Sequence, residues 1–137
     1  MALVCIGMLL VSCGSKRLDN PKAQFIRDFG LHIDKKDCVL EELFNNYEGV
    51  PYEGIALYKL TVGEDVRQAF LQWERFPLPE AAENFLESLS AYVELPLIAD
   101  GYWKMVDRNP GTSAYTNVSL CVYDEATGAA YLLTMDI

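Results

Sequence analysis

A chain of 137 residues with 11 basic against 20 acidic side chains, net charge −9, has the length of one domain and the wrong sign for selecting nucleic-acid phosphates. Eight Tyr, six Phe and two Trp exclude a disordered chain, because disorder requires too little apolar surface to offset ordering entropy. Residues 1–12 carry no charge, so the whole negative balance belongs to residues 13–137.

The chain opens on the apolar run Met1 to Leu10, closed by Val11, Ser12 and Cys13. A run of this kind suits the apolar core of a secretory leader, about 7–15 residues, and is too short for a membrane-spanning helix of about 20. The tetrad Leu10-Val11-Ser12-Cys13 resembles the lipobox of bacterial lipoproteins: aliphatic, small or aliphatic, small, then cysteine. That resemblance implies that residues 1–12 are a cleaved signal peptide. It also implies that Cys13 takes a lipid as the new N-terminus and that the rest is held at the cell membrane, facing outside the cytoplasm. No Lys or Arg precedes Lys16, where such a leader normally begins with positive charge. Either the start lies upstream, or the apolar run is a buried strand or helix with Cys5 and Cys13 as small core residues.

Residues 13–20 read as the lipidated cysteine and a polar linker, and residues 21–137 as a single domain. Asn20-Pro21 is a helix start, with Phe25, Ile26 and Phe29 on one face and Gly30 suited to a left-handed close. From Asp37 to Tyr47 the apolar residues Val39, Leu40, Leu43, Phe44 and Tyr47 recur at helical spacing. Ile55 to Val62 alternates as a strand, with Ala56, Tyr58, Leu60 and Val62 on one face and Lys59 and Thr61 on the other. After Gly63, Glu64 and Asp65 open a helix whose stripe is Val66, Ala69, Phe70 and Trp73.

Phe76-Pro77-Leu78-Pro79 predicts an extended elbow. The next helix carries Ala82, Phe85, Leu86, Leu89, Tyr92 and Val93 as its buried stripe, with Glu80, Glu83, Glu87 and Glu94 as its solvated face, until Pro96 ends the pattern. Three strands joined by short turns complete the chain: Tyr102 to Arg108, Thr116 to Val122, and Ala129 to Asp136, with Gly128 suited to a positive-φ position. Val118, Leu120 and Val122 form the buried face of the middle one, which puts Cys121 on the outer side. The expected fold is α+β: an antiparallel sheet of four or five strands, two or three helices packed on one face, and a C-terminal three-strand meander.

The ending Gly101-Tyr102-Trp103-Lys104-Met105-Val106-Asp107-Arg108, then Asn117 to Tyr123 and Asp124 to Asp136, resembles a family of small uncharacterised proteins from Gram-positive bacteria. The paired prolines of Phe76-Pro77-Leu78-Pro79 fit that family too. The resemblance spans about residues 31–137 and implies an α+β fold with a strand at residues 38–44, against the helical periodicity there. Where the family carries His and Gly-Asp elements, this chain has Tyr47 to Gly54, and no catalytic residue carries over.

Chemistry-bearing patterns are few. His32 is the single histidine, Cys38 and Cys121 match no zinc spacing, and Gly49, Gly54 and Gly63 make no phosphate loop. No catalytic residue, metal ligand or cofactor is assigned, and Cys38 and Cys121 are expected not to form a disulfide. Asp107, Arg108, Asp124 and Asp136 stand at strand ends, where they either meet at one sheet edge or merely cap turns. Tyr58 and Leu60, or Tyr102 and Lys104, are the candidates for an open sheet face, although aromatic residues in strands are more often core. The expected function is a membrane-tethered binding module with an unknown protein partner. The alternative is a cytosolic immunity- or inhibitor-like acidic protein whose apolar start is structural.

Overall fold

The computed structural model describes residues 21–33, 37–49, 53–111 and 116–137. The proposed leader, Cys13 and the linker therefore lie outside the described residues, as does the capping side chain of Asn20. Among the described residues, three helices and six strands run in the order α1 (Pro21–Phe29), β1 (Val39–Asn45), β2 (Gly54–Thr61), α2 (Glu64–Phe70), β3 (Glu74–Arg75), α3 (Glu80–Ser88), β4 (Gly101–Asp107), β5 (Asn117–Asp124) and β6 (Ala129–Asp136). All the strands join one antiparallel sheet in the order β1-β2-β6-β5-β4-β3. The α+β class and the C-terminal meander β4-β5-β6 stand as expected. The sheet is larger than four or five strands because β1 and the two-residue β3 extend its two edges.

The helices cover both faces of the sheet, not one. On the first face, Phe25 and Phe29 of α1 and Val66 and Phe70 of α2 pack on Tyr58, Leu60, Cys121, Tyr123 and Leu132. On the second, Ala82 and Phe85 of α3, with Leu89, pack on Leu57, Val118, Leu120, Val122, Tyr131 and Leu133. Two-sided burial has a cause in composition. Strands buried on both faces read as near-continuous apolar runs, and β6 (Ala-Ala-Tyr-Leu-Leu-Thr-Met) is one. Cys121 is thus fully buried rather than outward, and Tyr58, Leu60 and Tyr102 are core residues rather than an open face.

The segment at residues 37–47 is a strand, despite its helical spacing. A bulge between Glu42 and Phe44 inserts one residue against β2, with Leu40 opposite Leu60 and Phe44 opposite Leu57. In a regular strand, residues four apart share a face. The bulge reverses the second half, so Leu40 packs into the first core and Phe44 into the second. The i, i+4 spacing therefore serves two cores through one bulged strand.

The helices are shorter than their apolar stripes. α2 stops at Phe70, and half-buried Trp73 comes after it in a turn, its ring 4.9 Å from that of Phe70 and edge-on to it. Pro79 occupies the N-cap of α3, which ends at Ser88, leaving Leu89 buried and Tyr92 57% exposed beyond it. Gly30 closes α1 left-handed at φ 66°, and Gly128 takes φ 70° in the β5–β6 turn, both as expected.

Candidate functional site

Two features stand apart from ordinary core and surface. The first is a buried ionic cluster at the end of the sheet where β4 stops and β5 starts. Asp28 sits on the last turn of α1, one turn beyond Gln24, and both face inward against Ser119 and Thr134, which are cross-strand neighbours on β5 and β6. Arg108, just past β4, reaches under the helix. Its Nη1 lies 3.0 Å from Asp28 Oδ2 and also donates to Ser119 Oγ. Its Nη2 lies 2.6 Å from Asp136 Oδ1 and 3.2 Å from the Met135 carbonyl oxygen. Tyr47 closes the far side, its hydroxyl donating to Asp136 Oδ2 at 2.9 Å.

Among the described residues, this cluster sets Arg27 and Arg108 against Asp28 and Asp136. Burial pushes the Asp28 carboxyl upward. The Ser119 hydroxyl, Arg27 and the charge of Arg108 together outweigh it and hold the group below the usual carboxylate range. The Tyr47 hydroxyl is driven the other way, by burial first and by the Asp136 charge second. One guanidinium forking between carboxylates on a helix and a strand fastens α1 to the sheet. That is a structural task.

The strand-end residues do not assemble into a four-membered site. Arg108 and Asp136 meet, but Asp107 caps its own turn, accepting from the Asn109 amide at 2.9 Å. Asp124 lies at the opposite end of the sheet, accepting from the Ala126 amide and the Thr127 hydroxyl. The partner of Arg108 that sequence reasoning missed is Asp28, whose separation in the chain left no local signal. His32 is exposed on the segment after α1. Cys38 and Cys121 are free thiols packed into the same first-face core. Lys104 places its ammonium 6.0 Å from the centre of the Trp73 ring.

The second feature is an open groove on the other face, with a volume of 680 Å³. Leu86 of α3 forms one wall, and Phe76, Pro77 and Leu78 of the elbow form another. The elbow is set by the sheet edge: β3 pairs Arg75 with Tyr102, the Phe76 amide donates to the Gly101 carbonyl at 3.0 Å, and Trp103 Nε1 donates to the Arg75 carbonyl at 3.3 Å. Gly101 is required there, since a Cβ would stand 1.9 Å from the Tyr123 carbonyl oxygen.

The remaining wall is an irregular strap running from Val93 to Ala99, which returns the chain from α3 to β4. Val93, Leu95 and Ile98 pack down onto the second core, while Leu97 is 99% exposed. Among the described residues, no backbone-to-backbone hydrogen bond involves Glu94 to Ala99. Among the described residues, the charged ones that line it are Glu83, Glu87 and Glu94, with no base beside them. Three of the four glutamates expected on a plain solvated face thus flank an apolar groove. Their pattern was visible in the sequence; the groove beside them depends on the strap folding back, which periodicity does not encode.

No family model, curated protein or solved structure matches the chain.

Proposed function

We propose that this chain is a membrane-tethered module that works by binding a protein partner, with the groove beside α3 as its docking surface and a lipid on Cys13 as its anchor. The observation that carries the reading is the groove itself: a mostly apolar concavity of 680 Å³ that no described side chain fills. Apolar concavities rimmed by polar groups mark interaction sites more often than scattered exposed residues do. Leu97 adds a fully exposed aliphatic side chain at the edge, which burial against a partner would stabilise. The strap's main chain, which makes no backbone pairing from Glu94 to Ala99 among the described residues, favours a polypeptide, which can meet its N–H and C=O groups as well as its side chains.

The test uses Leu97, whose exposure makes its replacement neutral for folding. A photo-crosslinking residue at position 97 of the full chain should capture one protein reproducibly. That protein, purified, should bind the wild type and lose most of its affinity for Leu97→Glu, with the thermal midpoint of the variant unchanged. Equal binding by wild type and variant would remove the groove from the function.

A further inference from the structure

Resting on the groove as docking surface, we infer that its occupant is a cationic amphipathic polypeptide segment, one that lays aliphatic side chains into the groove and Lys or Arg against its rim. The argument is one of charge and chemistry together. Among the described residues, the lining pairs apolar side chains such as Leu86, Ile98 and Val122 with Glu83, Glu87 and Glu94, and includes neither Lys, Arg nor His. Glu83 and Glu87 stand one turn apart on α3 and Glu94 lies on the strap, so two of the groove's walls supply carboxylates. All three are exposed, so they keep their hydration when the groove is empty and a partner's cations meet them at the rim.

An acidic or neutral apolar segment gains the same burial but faces three uncompensated carboxylates. A cationic one gains burial and charge pairing at once, and the net charge of −9 steers its approach. The strap strengthens the case for a polypeptide over a small amphiphile. Its main chain from Glu94 to Ala99 makes no backbone pairing among the described residues, and a peptide backbone is the ligand that supplies both donors and acceptors at that spacing.

The experiment uses the full chain and three labelled amphipathic peptides with one leucine pattern, their polar positions all lysine, all glutamine or all glutamate. Affinity is read by fluorescence anisotropy. The lysine peptide should bind about tenfold more tightly than the glutamine peptide, with the advantage shrinking as salt rises. Glu83→Gln/Glu87→Gln should weaken the lysine peptide about threefold to tenfold. Glu41→Gln/Glu42→Gln on β1, which removes the same charge away from the groove, should leave it within about twofold. Leu97→Gln should weaken the lysine and glutamine peptides alike. Equal binding of the lysine and glutamine peptides overturns the cationic occupant and leaves the docking surface standing. Equal weakening by the two double variants assigns the effect to overall charge and also overturns it. Binding of none of the peptides, or self-association of the chain through Leu97, overturns the inference and the docking reading together.

Discussion

Arg108 shows how much one side chain can hold together. Its guanidinium joins Asp28 on α1, Ser119 on β5 and Asp136 on β6, and its side chain is only 14% exposed, against 3% for Asp28 and 15% for Asp136. Breaking a buried pair by removing one partner strands the other charge, at a cost of about 3–5 kcal/mol. Arg108→Met should therefore destabilise the domain by that order in urea titration. Arg108→Lys should recover only part, because a single ammonium does not fork between two carboxylates. Asp28 sets a pH dependence. Its folded pKa lies below the usual carboxylate value, so its contribution is present above that value and fades as pH falls through the lowered one. Stability measured from neutral into acid should fall less steeply in Asp28→Asn than in the wild type; parallel curves would show that Asp28 is not a source of the acid sensitivity. The two described thiols offer a second contrast. Burial alone drives the Cys121 thiol far up, whereas Cys38 is partly exposed. Alkylation of the native protein, mapped by peptide mass spectrometry, should label Cys38 and spare Cys121 until denaturant is added.

Individual elements were legible where turn and cap residues mark their ends. The strands of the meander are bounded by Asn109-Pro110-Gly111 and Gly128, and the three described helices start at Pro21, after Gly63 and after Pro79. β1 was obscure because its bulge assigns Leu40 and Phe44 to opposite cores, a spacing that a helix would also produce. β5 departs from its expected one-sided burial for a different reason. Ser119 and Cys121 look like a solvent face in sequence, but they are small enough to lie beneath α1 and α2, and Ser119 is satisfied by Asp28 and Thr134. The paired test of that strand is direct. Leu120 is fully buried on the second face, and Leu120→Ala should lower stability by about 2–5 kcal/mol. At the start of β4, Gly101→Ala forces a Cβ against the Tyr123 carbonyl and should cost about 1–3 kcal/mol, as overpacking does. It should also disturb the elbow that Gly101 anchors through Phe76. The groove was the least legible part, because a strap without regular structure builds one of its walls.

At the scale of the whole molecule, the two sheet faces divide the labour that the proposed function requires. The described chain enters at Pro21, the first residue of α1, which packs on the first face; the groove opens on the second, beside α3. Under the proposed function, a tether joined to α1 would meet the first face while the docking surface lies on the second, and the Arg108 cluster is what fastens α1 to the sheet. Residues 13–20, fully extended, would give about 25–30 Å of reach, and the net charge of −9 would repel the body from an anionic lipid surface. Under the proposed tethering, both effects would hold the body off the membrane and leave the groove accessible. Tethering and binding should therefore be separable. In bacterial cells the wild type should incorporate radiolabelled palmitate and sediment with membranes, and Cys13→Ala should do neither. The same Cys13→Ala protein, purified, should bind the lysine peptide as tightly as the wild type. Palmitate that persists after the substitution would end the case for Cys13 as the anchor. Binding lost with the lipid would mean that the two faces do not act independently.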